Sequence, residues 1–408
     1  MTFRHRDGTR VHLAYCTNVH PAEDAEGLHR QLRVFGAGVR ARLGADRLGL
    51  GLWLPAPLAA RLATEPAELD RLRRALDEHG IEVVTLNAFP YRGFHAPVVK
   101  KAVYRPDWTE EERLGYTLDC ARVLTGLLPD DAARGSVSTV PLAWREPWDA
   151  GRHGAARAML DRLADGLEKL EAETGRTVRV GLEPEPGCIV ETVAEAVELL
   201  AGVDTRRIGV CLDTCHLAVA FEDPAGAVAV LAEAGLPIVK AQVSAALHAA
   251  APADPDTRAA LSRYTEDRFL HQVRELPAGE GAVTARDDLP EALAGPEALP
   301  GAGPWRVHFH APLHQRPEPP LDTTTDHLER TLAELFAGPA ARTDHLEVET
   351  YTWSVLPERF RPAGDADLAA GLAAELRWAA DAVGRAGLTD NEHGTGDGTE
   401  QRTEEETA

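Results

Sequence analysis

Cys-Leu-Asp-Thr-Cys-His, residues 211–216, ends an apolar run carrying Ile208, Val210 and Leu212 and brings Asp213 and His216 together at the run's carboxyl end. An acid and an imidazole three residues apart, where a strand gives way to a loop or helix, can grip one cation. Gly-Leu-Glu-Pro-Glu-Pro-Gly (181–187) upstream, and His-Phe-His (308–310) and Glu-Val-Glu-Thr-Tyr (347–351) downstream, abut apolar runs in the same way. Four such convergences predict one shared metal site.

Outward from this stretch, short apolar or β-branched runs alternate with longer amphipathic segments, the pattern of repeated β-α units on a parallel sheet. Strands are expected near 11–17, 47–54, 81–87, 135–142, 177–183, 207–213, 237–243 and 345–351, with helices between them, among others at 57–79, 109–127, 153–174 and 191–202. Eight units predict a closed α/β architecture, the TIM (β/α)8 barrel, whose functional groups gather at the carboxyl ends of the strands. A ninth apolar run, 305–312, follows a Pro/Ala/Asp-rich stretch too long for an ordinary connection. We read 244–322 as an insertion after the seventh strand, helical over 255–275 and irregular over 276–304. In the alternative, 305–311 is a barrel strand and the first run is not. The single domain then spans 1–387, and the Gly/Thr/Glu/Asp-rich tail 388–408 is expected to be disordered.

Composition narrows the function. The 408 residues, 44% hydrophobic and 26% charged, suffice for one elaborated barrel. A net charge of −22 argues against nucleic acid as a partner, because binding through phosphate neutralisation requires a basic face. A small polar metabolite fits better. Five cysteines (16, 120, 188, 211, 215) without a CxxC pair, and an amino terminus without an apolar signal core, predict a reduced, cytoplasmic setting. No transmembrane segment is expected, since no run approaches the roughly 18 apolar residues that a span requires.

Glu183 and Glu349, from different strands, are the candidate catalytic bases, each also able to ligate a divalent cation. Taken singly, either could instead pair with a buried arginine or cap a helix. Asp213, His216, His308 and His310 complete the candidate ligands, with Gln242 as a weaker amide ligand. His308 and His310 alternate in an extended segment and so share a face. Glu185 is either a second ligand or an orienting group. On the substrate side the candidates are His20, Asn87, Tyr91 and Lys240, the last as a cation for an oxyanion. The loop holding Phe94-His95 and Lys100-Lys101 is a candidate lid. Cys211 and Cys215 are read as structural. No Walker loop, dinucleotide fingerprint or Gly-x-Ser-x-Gly elbow occurs.

With these residues in view, the chain resembles the xylose isomerase-like superfamily of TIM barrels, which includes sugar isomerases, epimerases and the apurinic endonuclease branch. Val-Cys-Leu-Asp-Thr-Cys-His is similar to that branch's sixth-strand motif, and Leu-Glu, His-x-His and Val-Glu-Thr follow in the same order. The resemblance implies metal ligands at Glu183, Asp213, His216, His308, His310 and Glu349. More narrowly, Tyr15-Cys-Thr-Asn-Val-His-Pro21, Leu86-Asn-Ala-Phe-Pro-Tyr91, Ala102-Val-Tyr-Arg-Pro-Asp-Trp108 and Ser136-Val-Ser-Thr-Val-Pro-Leu142 resemble the EboE type of metabolite traffic protein. That resemblance implies a bacterial operon for making or moving a small, prenylated or cyclitol-like metabolite, in which operon partners are possible. Gln242 stands where many superfamily members have a histidine, and the endonuclease branch's early-strand histidines have no counterpart unless His20 or His95 serves. A mixed carboxylate, amide and imidazole set suits Mn²⁺, Mg²⁺ or Zn²⁺.

The expectation is therefore a metal-dependent isomerase or epimerase acting on a sugar, polyol or cyclitol derivative. A non-catalytic binder or carrier of such a metabolite is the alternative, followed by a metal-dependent phosphoesterase.

Overall fold

In the computed structural model, which describes residues 1–279 and 281–390, eight parallel strands close into a barrel. They are β1 (Arg10–Cys16), β2 (Leu48–Trp53), β3 (Ile81–Asn87), β4 (Gly135–Thr139), β5 (Val178–Leu182), β6 (Ile208–Asp213), β7 (Ile238–Val243) and β8 (His345–Val348). Closure comes from β8 lying parallel to β1, with His345 opposite His12 and Val348 opposite Tyr15. The barrel thus takes 10–16 as its first strand and leaves 305–311 outside.

The barrel interior is polar as well as apolar, which explains Gly51 of β2. Glu347 on β8 reaches across so far that a Cβ on Gly51 would fall 1.3 Å from its Oε1. Glu347 pairs there with Lys240 of β7, and both side chains are fully buried. Burial disfavours the ammonium, but the Glu347 carboxylate outweighs it and holds Lys240 above the ordinary lysine range.

The helices pack outside. Helix Ala150–Thr174 starts where Asp149 accepts the Arg152 N–H and stops at Gly175 in the left-handed region, φ 69°. Helix Val193–Leu199 opens on a capping box between Thr192 and Glu195. The helix expected over 57–79 is two, Ala56–Thr64 and Pro66–His79, because proline at 66 has no N–H to continue the first and is well placed to start the second.

The segment after β7 builds a second sheet. Its strands run, edge to edge, Thr284–Arg286, Val273–Glu275, Trp305–Val307, Leu247–Ala249 and Leu321–Thr323, all antiparallel. The helix expected over 255–275 ends early: α-helix covers Pro255–Leu261, and 273–275 is strand. The stretch expected to be irregular, 276–304, holds strand Thr284–Arg286 and helix Leu289–Leu293. Glu275 anchors it by accepting the N–H groups of Gly301, Ala302 and Gly303 and the Trp305 indole. Long-range pairing of this kind leaves little local signal in sequence.

Most of the tail expectation, 391–408, lies outside the described residues. At its start it is corrected: Leu388 is buried, and Thr389–Asp390 pair with Thr2–Arg4. Among the described residues no helix is long and apolar enough to cross a membrane.

Candidate metal centre

Three carboxylates meet at the carboxyl ends of the strands. Glu183 directly follows β5, its N–H bonded to Thr139 O at 3.0 Å. Asp213 ends β6 and caps the helix Thr214–Val219, its Oδ1 accepting from His216 N and Ser244 Oγ, both at 2.8 Å. Glu349 follows β8, and its Oε1 accepts from Asn18 Nδ2 and Asn87 Nδ2, each at 2.8 Å. All three are buried, and their ligand-capable oxygens lie within 4.8 Å of one another. Burial first, then the Glu349 and Asp213 charges, raise Glu183 well above the carboxylate range; burial, then Asp213 and Glu347, do the same to Glu349.

Beside them sit three imidazoles, each with Nδ1 tied to an acceptor. His216 donates to Pro184 O at 2.9 Å, His308 to Gln272 Oε1 at 2.7 Å and His310 to Glu349 O at 2.7 Å. Gln272 has no choice of orientation, because its Nε2 faces the Pro186 carbonyl at 2.9 Å. The three Nε2 atoms converge: His216 to His308 is 3.0 Å and His308 to His310 is 3.2 Å. Burial is the main cause that lowers all three, His216 to about 4, so the rings are neutral near pH 7. Glu185 is within 4.8 Å of His216 and His308, and its carboxyl, held by Tyr104 OH at 2.6 Å, is pushed up to about 8, chiefly by burial. Cys215 Sγ stands within the same distance of His308 and His310.

This donor set fits a divalent cation. Glu183 Oε2 and Asp213 Oδ2 are buried with no hydrogen-bond partner, and neither amide atom of the fully buried Gln242 has one. Gln242 lies on β7 in register with Asp213 on one side and Glu347 on the other. Orphaned oxygens beside bare imidazole nitrogens are what a cation would satisfy.

The substrate-side candidates divide. Asn87 lines the cavity, but both ends of its amide are engaged, by Glu349 and by Phe89 N at 2.9 Å. Lys240 is corrected: its ammonium is neutralised inside the barrel by Glu347 and is not free for an oxyanion. His20 is also corrected, since its ring stacks on Phe35 at 4.0 Å and bonds to Tyr15 OH at 3.2 Å. Tyr91 packs edge-on against Tyr116 at 5.1 Å rather than on the cavity. His95 Nε2 donates to Asn18 O, 2.8 Å away, and His314 stacks beside Trp353. Asn18, Tyr104, Gln272 and Tyr351 are participants that the motifs did not single out. Asn18 was within reach, since it lies in the Tyr15–His20 stretch; Gln272 carries no motif.

A cavity opens on the cluster, its outer wall formed by Phe89, Phe94, Val99, Val103, Phe269 and Leu270. The loop that follows β3 is clasped to the inserted segment. Val99 N and Lys100 N both donate to Arg268 O at 2.8 Å, Lys100 Nζ bonds to Asp288 at 2.6 Å, and Lys101 Nζ bonds to Asp287 at 3.2 Å.

A parallel barrel with carboxylates and imidazoles gathered at its carboxyl face defines a class of metal-binding barrel. The family described as xylose isomerase-like TIM barrel matches residues 40–294, and the chain belongs to it. Solved structures with a similar fold include D-psicose 3-epimerase of Clostridium cellulolyticum H10 with D-tagatose, at 13% identity and a TM-score of 0.48, covering 91% of this chain and 99% of that one. A xylose isomerase-like TIM barrel protein of Mycobacterium smegmatis in complex with magnesium is 14% identical, TM-score 0.48, covering 91% and 98%. IOLI protein with a zinc atom is 14% identical, TM-score 0.47, with the same coverage. Among proteins with curated descriptions, none matches the sequence.

Proposed function

We propose that the protein is a metal-dependent isomerase or epimerase for a hydroxy-carbonyl compound of the sugar, polyol or cyclitol class. The observation that carries this reading is the meeting of Glu183, Asp213 and Glu349 within 4.8 Å, from three strands of one barrel. In this reading Glu183, Asp213, Gln242 and Glu349 hold one cation, with His216, His308 and His310 at its flank. A divalent cation there supplies Lewis-acid polarisation of a carbonyl oxygen. The chain's own groups do the rest. Glu183 and Glu349 take a proton from the carbon beside the carbonyl and return it. Asn18 and Asn87 fix Glu349 by bonding the same oxygen, which leaves its other oxygen to face the substrate.

The proposal extends to the EboE-type assignment carried by the motifs at 15–21, 86–91, 102–108 and 136–142, and with it to a cytoplasmic role beside operon partners. The experiment is isotope exchange. Manganese- or zinc-loaded protein incubated in D₂O with D-fructose, D-ribulose and an inosose should place deuterium at the carbon next to the carbonyl of at least one of them, and Glu349→Gln should not. Unlabelled compounds recovered with every metal would overturn it.

A further inference from the structure

We propose that the protein has a second binding site, for inorganic phosphate in its hydrogen phosphate form. Arg306 and His327 hold the ion, with His248 beside it and Arg330 at its entrance. None of the four lines the cavity at the strand ends, so the site stands apart from the reading of the metal centre.

Arg306 and His327 meet on one turn, where the helix Thr214–Val219 ends. Ala218 O accepts from Arg306 Nη1 at 2.6 Å, and Glu222 O accepts from His327 Nε2 at 2.8 Å. Between these carbonyls Phe221 stands in the left-handed region at φ 58°, with the Arg306 guanidinium 4.3 Å over its ring. The turn is thus pinned by two side chains whose other nitrogens, Arg306 Nε and His327 Nδ1, are buried without a hydrogen-bond partner. His248 Nδ1 is a third such nitrogen. It lies directly opposite Arg306 on the neighbouring strand of the inserted sheet, so the two side chains share a face. Arg330 follows His327 by one turn of the helix Thr325–Phe336 and is exposed.

The charges call for an anion. Among the described residues neither Arg306 nor Arg330 forms an ion pair, although the chain carries 65 acids against 43 lysines and arginines. The acids in reach are committed elsewhere: Asp223 accepts from Gly226 N at 2.9 Å, Asp322 pairs with Arg316 at 2.6 Å, and Glu222 accepts from Val193 N at 3.1 Å. Burial, then the Arg330 charge, lower Arg306 to about 10. A guanidinium withdrawn from water beside a second one is unfavourable until an anion joins them.

His327 selects among anions. Its proton is on Nε2, facing the Glu222 carbonyl, and burial is the main cause that lowers it to about 4, so Nδ1 presents a lone pair near pH 7. A fitting ion accepts from Arg306 Nε and donates to His327 Nδ1. Hydrogen phosphate does both, through P–O⁻ and P–OH. Sulfate has no proton to give, and a phosphate monoester has lost its last one above about pH 6.

Equilibrium dialysis of the full-length protein against radiolabelled phosphate at pH 7.5 tests this, with sulfate and methyl phosphate as competitors. Phosphate should bind with a Kd below about 1 mM, and the competitors at least about tenfold more weakly. Arg330→Ala, a change at the surface, should weaken phosphate about tenfold and leave manganese affinity as it is; Arg306→Gln should weaken phosphate by about 10–100-fold. No retention of phosphate by the native protein, or variants that retain it as the native protein does, would overturn the site. Sulfate competing as well as unlabelled phosphate would overturn the contact given to His327 and with it the choice of ion.

Discussion

His216 and His308 point bare nitrogens at each other, Nε2 to Nε2 across 3.0 Å. Each has its proton on Nδ1, committed to Pro184 O or to Gln272 Oε1, so no hydrogen lies between them while the rings are neutral. Two lone pairs at that distance repel, and a cation between or beside them turns the repulsion into ligation. Zinc or manganese should therefore raise the melting temperature and EDTA should lower it again; a ligand at a thousandfold excess over its Kd stabilises by about 4 kcal/mol. Gln272→Ala removes the acceptor that fixes the His308 tautomer and should weaken metal binding by about 10–100-fold, read by competition with a chelating dye. Metal affinity unchanged in this variant would sink the assignment.

How much of this was legible beforehand depended on whether the signal was local. The eight barrel strands lie where the apolar runs put them, because a buried parallel strand is apolar along its whole length and short enough to read in one window. Glu183, Asp213 and Glu349 were readable for a related reason: each is the polar residue that ends such a run. Lys240 misled because alternation on β7 gives a facing direction but not a depth. Its partner Glu347 arrives from β8, 107 residues away. His20 misled in the same way, since the ring of Phe35 that covers it belongs to a helical turn whose packing no motif marks. The inserted sheet was the least legible part. Its strands are three residues each and pair across long loops, so neither periodicity nor turn chemistry announces them.

The Lys240–Glu347 pair is a second test of the barrel interior. Each charge has left water for the other, with Ser138 Oγ 3.4 Å from the ammonium. Lys240→Met alone strands the carboxylate in the core and should cost about 3–5 kcal/mol in urea unfolding. Adding Glu347→Leu should recover most of that loss, because an apolar pair of similar volume needs no desolvation. A double variant no more stable than Lys240→Met would show that the pair is not the unit of stability.

Glu375 on the last helix, Asp365–Arg385, gives a pH dependence of stability outside the metal centre. Its carboxyl accepts from Thr350 Oγ1 at 2.7 Å, Leu313 N at 3.0 Å and Trp353 Nε1 at 3.2 Å, yet burial pushes its pKa from 4.5 up to about 7. Between those values the folded protein holds a proton that the unfolded chain has released. The stabilising contribution is thus complete below about pH 4.5 and is lost as pH rises through 7. From pH 5 to pH 8 the native protein should lose roughly 2–3 kcal/mol more stability than Glu375→Gln, whose amide has no proton to give up. Parallel pH profiles for the two proteins would refute this.

The clasp between the loop after β3 and the inserted segment joins two parts of the cavity lining, Val99 and Lys100 from the loop and Phe269 and Leu270 from the insertion. Lys100 stands in the left-handed region at φ 41°, a conformation that costs a non-glycine residue about 1 kcal/mol or more and is held only by its surroundings. Those surroundings are the Asp288 carboxylate on its ammonium and Arg268 O on the backbone N–H groups of Val99 and Lys100. Asp288→Asn keeps the oxygen that accepts His271 N and Leu289 N but weakens the grip on Lys100. The strain at Lys100 then favours opening. The amides of Val99 and Lys100 should exchange with D₂O roughly tenfold faster in the variant, while those of β6 keep their native rates. A uniform acceleration across the barrel would mean that the ion pair supports the whole fold, and no change at all would mean that it holds nothing shut.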